Sequence, residues 1–178
     1  MIETIRICLP SHLEHVLVLE DTDRKFLELA YKEALERFEE GGCPIGCVLA
    51  RGDELIAKGR NQRVQGGDPI AHGEMDCLQN AGRQAGYGDT VIYTTLSPCS
   101  MCSGAILLFK IPTVVVGENR NFMGEEELLR SRGVDVVVVQ DEDCIDLMGR
   151  FIREKPELWN EDIAVEEEVA HGPSDHPH

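Results

Sequence analysis

At 178 residues, with 42% hydrophobic and 28% charged side chains, the chain is long enough for one domain with a full core and has ordinary globular composition. Its formal charge of −16, from 33 acids against 17 bases, argues against a nucleic-acid backbone as partner and for a small substrate that is not strongly anionic. No apolar run approaches the length of a membrane span, so no membrane partner is expected.

Residues 1–21, MIETIRICLPSHLEHVLVLED, place Glu3, His12 and Glu14 among short apolar runs and read as an N-terminal extension, not as an export signal. Seven cysteines, an odd number, then read as reduced thiols of a cytoplasmic protein. The domain proper is expected over residues 22–168. It opens with an amphipathic helix over 22–40, with Leu27, Tyr31, Leu35 and Phe38 as its apolar stripe and Gly41-Gly42 as its stop. PIGCVLA and ELIAKG flank Arg51-Gly52-Asp53 and predict a hairpin, and residues 61–71 read as a loop that leads to chemistry. A helix from His72 to about Gln84, a strand over 91–95, a helix from Cys99 to Phe109 and a strand over 113–117 follow. A helix within 124–133, a strand over 135–139 and a helix over 141–154 continue the alternation, which predicts an α/β sandwich with helices covering a mixed sheet. A last acidic helix starts near Pro156. The tail over 169–178 is expected to be disordered, with His171, His176 and His178 in solvent.

The chemistry-bearing residues are His72-Gly73-Glu74 and Pro98-Cys99-Ser100-Met101-Cys102. Cys99 and Cys102, at i and i+3, share one face of a helix whose positive N-terminus favours thiolates, and Pro98 suits the first turn. Alone, the pair also fits a thioredoxin-like redox couple or half of a zinc ribbon, although the ribbon's second CxxC is absent. Cys43 and Cys47 read as small core residues on a strand. His72, 27 residues before Cys99, completes three metal ligands. Three ligands leave the fourth tetrahedral position for water, whereas a purely structural zinc fills all four with side chains. Glu74 reads as a fourth ligand, as an exposed helix carboxylate, or as the general acid and base of the H-x-E…P-C-x-x-C arrangement common to zinc deaminases. One Zn2+ per chain is expected, and iron accepts the same ligand set.

The stretches GCPIGC, GRNQR, AHGEM, YTTLSPCSMCSGAI, VVGENRNF, RGVDVVVV and PELWNEDI extend well beyond this signature. Through them, residues 23–165 resemble the fungal-type cytosine deaminases of the cytidine deaminase superfamily. The resemblance implies a three-layer α/β/α sandwich with a central mixed sheet, a homodimer with active sites near the interface, and hydrolysis of free cytosine to uracil and ammonia in pyrimidine salvage. It assigns His72, Cys99 and Cys102 to zinc and Glu74 to proton transfer. It places Asn61 and the Gly73 amide at the pyrimidine O2, Asp162 at the ring N1–H, and the Ser97 carbonyl opposite the departing amine. Phe122, Trp159, Ile45 and Leu96 would form the apolar walls.

The chemistry agrees with that assignment. Zinc lowers the pKa of a bound water from ~15.7 toward ~7, which makes hydroxide available to attack the carbon bearing the amine, with Glu74 carrying the protons. A carboxylate at N1 is satisfied by a free base and left unpaired by a nucleoside. Composition alone would make Asp162, beside Glu161, a solvated charge. Trp159 also reads as the anchor of the terminal helix, with residues 156–165 as a lid over the bound base. Phe122 is compatible with plain core packing, and Arg120 reads as a local ion-pair partner. Alternative substrates of such a site are isocytosine, guanine, creatinine or a pterin. A tRNA or other nucleic-acid deaminase would share the zinc signature but should show a basic face, and a non-enzymatic zinc module would have its open position closed.

Overall fold

The structure, a computed structural model, describes residues 20–164. The expected N-terminal extension up to residue 19, with Cys8, and the expected histidine-containing tail over 169–178 lie outside the described residues.

Twelve elements are described: α1 (Asp21–Glu39), β1 (Gly46–Arg51), β2 (Glu54–Arg60), α2 (Arg63–Gly66), α3 (Gly73–Ala81), β3 (Val91–Leu96), α4 (Ser100–Phe109), β4 (Thr113–Glu118), α5 (Glu126–Ser131), β5 (Asp135–Val138), α6 (Glu142–Glu154) and α7 (Pro156–Asp162). The strands form one sheet in the order β2-β1-β3-β4-β5. β1 is antiparallel to both β2 and β3, while β3, β4 and β5 run parallel, so the sheet is mixed as expected.

Strand alternation splits the core between two faces of the sheet. Cys47, Leu49, Ile92, Val114, Val116 and Val136 point to one face, where Cys77 and Leu78 of α3, Ala105 and Ile106 of α4 and Leu129 of α5 cover them. Val48, Ala50, Tyr93 and Val115 point to the other, under Phe26, Leu27 and Ala30 of α1. α6 packs beside α1 on that second face. Helices on both faces of one sheet make the three-layer sandwich. α7 joins at its edge, where Trp159 meets Met148 and Phe151 of α6.

Three expectations need correction. The buried face of α1 is Phe26, Leu27, Ala30, Glu33, Ala34 and Arg37, rotated from the stripe read off the sequence. Small alanines let the helix lie close on the sheet, and the two charges are neutralised: Lys58 pairs with Glu33, and Arg37 Nη1 lies 2.9 Å from Glu40. Tyr31, Leu35 and Phe38 are only partly buried. The segment 61–71 is not all loop, because α2 makes a turn of helix there. α3 ends at Ala81, earlier than expected, because Gly82 takes the left-handed φ of +63° that stops a helix.

Candidate active site

Two helix starts converge at the carboxyl edge of β3. His72 is the N-cap of α3 and Cys99 the N-cap of α4, each in extended backbone immediately before its helix. Pro98 therefore stands just outside α4 and not in its first turn. Cys102, in that first turn, is fully buried. The donor atoms of His72, Cys99 and Cys102 all lie within 4.8 Å of one another, and Cys99 Sγ is 3.5 Å from His72 Nδ1. One imidazole and two thiols fit a tetrahedral zinc that keeps an open position. Both helix N-termini direct positive potential at this cluster.

The electrostatics follow. Cys99 is held as a thiolate, its pKa lowered to about 4 by the hydrogen bond from the Cys102 thiol, with His72 contributing. Burial is the largest single influence on His72 and opposes its charged form, but the Cys99 hydrogen bond together with the charges of Asp162, Cys99 and Glu74 outweighs it and the imidazole pKa is raised. Glu74, 3% exposed, has its carboxyl pKa raised by burial and then by the nearby Cys99 charge. Thr94 Oγ1, on β3, donates to Glu74 Oε1 at 3.0 Å. Glu74 is thus neither a solvated helix carboxylate nor one of the residues grouped at the metal site.

A cavity of about 320 Å³ opens beside this cluster. Of the residues singled out in the sequence, His72, Glu74, Cys99, Ile45, Leu96, Ser97, Phe122, Trp159 and Asp162 line it. Phe122 and Trp159 meet edge to face with ring centroids 5.9 Å apart. Asn61 and Gly73 stand behind the lining. Asn61 is fully buried and donates from Nδ2 to Asp162 Oδ1 at 3.1 Å. Gly73 begins α3 hard against Ile45, where a Cβ would come within 2.9 Å of the Ile45 carbonyl oxygen. Asp162 is no solvated charge: its side chain is 4% exposed and accepts from Arg63 Nη1 at 2.7 Å.

Several groups escaped sequence reasoning. Pro69, Ser100, Met101, Ile163 and Ala164 complete the cavity wall. Arg63 and Thr94 bond to the two carboxylates across 99 and 20 residues of sequence. Of these, Arg63, Thr94, Ser100, Met101 and Ile163 fall in stretches that carried the family resemblance and Pro69 and Ala164 do not, but no local pattern marks the bond from Thr94 to Glu74. Arg120 pairs with Glu142 at 3.4 Å on the surface, as expected. Cys43 and Cys47 are buried free thiols; Cys43 precedes β1 and does not lie in the strand.

Residues 20–118 match the family model described as the cytidine and deoxycytidylate deaminase zinc-binding region. The chain is 54% identical over 144 residues to the cytosine deaminase of Candida albicans, across 79% of this chain and 96% of that protein. It is 33% identical over 144 residues to the tRNA-specific adenosine deaminase of Bacillus subtilis, across 74% of this chain and 89% of that one. Its fold is similar to that in a structural study of A-to-I editing by tRNA A34 deaminases. That match has a TM-score of 0.62 and 26% identity across 70% of this chain and 99% of that chain.

Proposed function

Since the chain belongs to the zinc-binding family of cytidine and deoxycytidylate deaminases, we propose that it hydrolyses free cytosine to uracil and ammonia. The observation that carries this reading is the placement of Asp162, a sealed carboxylate, in the same base-sized cavity as Glu74 and the metal ligands.

His72, Cys99 and Cys102 would hold a zinc ion, which when bound would supply the Lewis acidity that lets a water lose a proton near neutral pH. The chain's own residues do the rest. Glu74 takes that proton and delivers it to ring N3, which makes C4 electrophilic as the water oxygen bonds to it. A second transfer through Glu74 carries the remaining proton of the new C4–OH to the amine; the C4–N bond breaks as the C4 carbonyl forms, and ammonia leaves past Ser97. Burial raises the Glu74 carboxyl pKa, which favours its holding a proton between the two transfers. Asp162 accepts from N1–H; Asn61 and the Gly73 amide, just behind the lining, are the donors toward O2, and Phe122 and Trp159, in edge-to-face contact, wall one side of the cavity and exclude water. A nucleoside has a sugar where Asp162 needs a proton, so the free base is preferred.

A polynucleotide substrate fits poorly with a net charge of −16 and with α7 contributing Trp159 and Asp162 to the cavity wall. The homodimer is supported by α4, whose mostly apolar sequence leaves Leu108 75% and Phe109 39% exposed, near exposed Ile70. A cytoplasmic setting is supported by the six described cysteines, all free thiols.

The test is ammonia release by the zinc-loaded protein from cytosine, cytidine, isocytosine, guanine, adenine and creatinine, with Glu74→Gln as control. Turnover of cytosine but not cytidine, lost in the control, is expected. Turnover of a different base alone would refute the substrate while leaving the zinc chemistry intact.

A further inference from the structure

α7 has seven residues, too few to be a stable helix by itself, and buries only Trp159. Something else must hold its last turn, and that turn carries Asp162. The contact comes from Arg63 in α2. Arg63 Nη1 donates to Asp162 Oδ1 at 2.7 Å, and Nη2 donates to both the Glu161 carbonyl oxygen and Glu161 Oε1 at 3.3 Å. One guanidinium thus grips the end of α7 by backbone and by side chain. Its own side chain is 12% exposed and that of Asp162 4%, so the pair is shielded far more than a surface ion pair.

Arg63 acts on Asp162 by a second route. Its backbone N–H donates to Asn61 Oδ1 at 3.0 Å, which fixes the amide so that Nδ2 faces Asp162 Oδ1. Both donors therefore arrive on Oδ1. Among the described residues no donor reaches Oδ2, the oxygen left for a ligand in the cavity that Asp162 lines.

We propose that Arg63 is a positioning residue for the substrate: it latches the C-terminal turn of α7 and presents the Asp162 carboxylate to the N1–H of a free base. This rests on the reading of Asp162 given above. The geometry explains why arginine is needed. A lysine could neutralise Asp162, but its single ammonium lacks the planar fork that bonds a carboxylate and a backbone carbonyl together. It also makes the latch and the recognition group one unit.

The experiment combines two readouts. Trp159 is the chain's one tryptophan, lies on α7 and is 6% exposed, so its fluorescence reports the helix directly whatever the substrate. In Arg63→Gln, with zinc content and circular dichroism as in the parent, Trp159 emission shifts to the red and acrylamide quenching increases. KM for cytosine rises ~30-fold or more, as for loss of one partner of a buried charge pair, while kcat changes little. Arg63→Lys, the milder change if Arg63→Gln misfolds, gives the same two shifts at smaller size. In an Asp162→Asn background, removing Arg63 adds little further to KM, because both act on KM through the carboxylate offered to N1–H.

Unchanged Trp159 quenching together with unchanged KM would overturn the proposal, and so would additive losses in the double variant. If Trp159 loosens in Arg63→Gln but the parent turns over no free base, the latch stands and the substrate reading has failed instead.

Discussion

The hydroxyl of Thr94 lies 3.0 Å from Glu74 Oε1, between a β-strand and a helix start, with Thr94 fully buried and Glu74 3% exposed. Its Oγ1 also lies 3.2 Å from the Leu96 carbonyl oxygen, so the single hydroxyl proton has two acceptors. A β-branched side chain has few rotamers, and this one fixes one carboxylate oxygen while leaving the other for proton transfer.

Thr94→Val keeps the shape and removes the donor. A hydrogen bond to a charged group contributes about 1.5–3 kcal/mol, so kcat should fall about 10- to 100-fold with KM nearly unchanged. Thr94→Ser should recover most of the rate. Steady-state kinetics on the two variants decide it: equal losses in both would show that the methyl packing matters and not the hydroxyl.

Metal removal should affect folding as well as turnover. The ligands join the starts of α3 and α4, so dialysis against a chelator is expected to abolish ammonia release and lower the melting temperature together. At a zinc concentration ~1,000-fold above Kd the lost stabilisation is about 4 kcal/mol. Zinc should restore both in the parent and neither in Cys102→Ala, with elemental analysis giving one zinc per chain in the parent.

The loop that carries Phe122 is held by a buried carboxyl group. Glu118, fully buried at the end of β4, accepts from the backbone N–H of Arg120 at 2.7 Å, that of Asn121 at 3.0 Å and the Asn121 side-chain amide at 3.1 Å. Glu118→Ala strands those donors and should cost about 3 kcal/mol, read in urea unfolding. KM for cytosine should rise as the Phe122–Trp159 contact loosens, and Glu118→Gln, which keeps acceptor oxygen, should be milder on both counts.

Alkaline stability should depend on Tyr93. Its phenol donates to Asp23 Oδ1 at 2.8 Å, and burial, followed by this bond and the aspartate's charge, raises its pKa above the ordinary ~10. The native state then holds a proton that the unfolded state releases. This contribution is complete below pH ~10 and declines as pH rises through the raised native value. Tyr93→Phe should be less stable at neutral pH yet lose less with each pH step above 10, as measured by denaturation between pH 7 and 11.

The candidate metal site at His72, Cys99 and Cys102 and the order of helices and strands were legible in the sequence because each rests on a short-range signal. Metal-ligand spacing lies within one turn of helix at Cys99 and Cys102, and His72 and Glu74 lie two residues apart. Hydrophobic runs such as TVVVG and DVVVV mark buried strands whatever their neighbours. The pocket residues Phe122, Trp159 and Asp162, and Asn61 behind them, came from resemblance and not from pattern, since nothing local separates a buried aspartate from a solvated one.

Tertiary structure decided the rest. Which face of α1 is buried depended on charges at Lys58 that neutralise Glu33, and Leu35 could not reveal that from its spacing alone. The helix that delivers Asp162, the arginine that secures it and the threonine that aims Glu74 come from separate segments, joined by bonds across 99 and 20 residues. Periodicity records how a segment meets water and its own backbone. It carries no record of which distant donor will satisfy a buried carboxylate, because that partner is chosen only when the sheet and its two helical layers close around it.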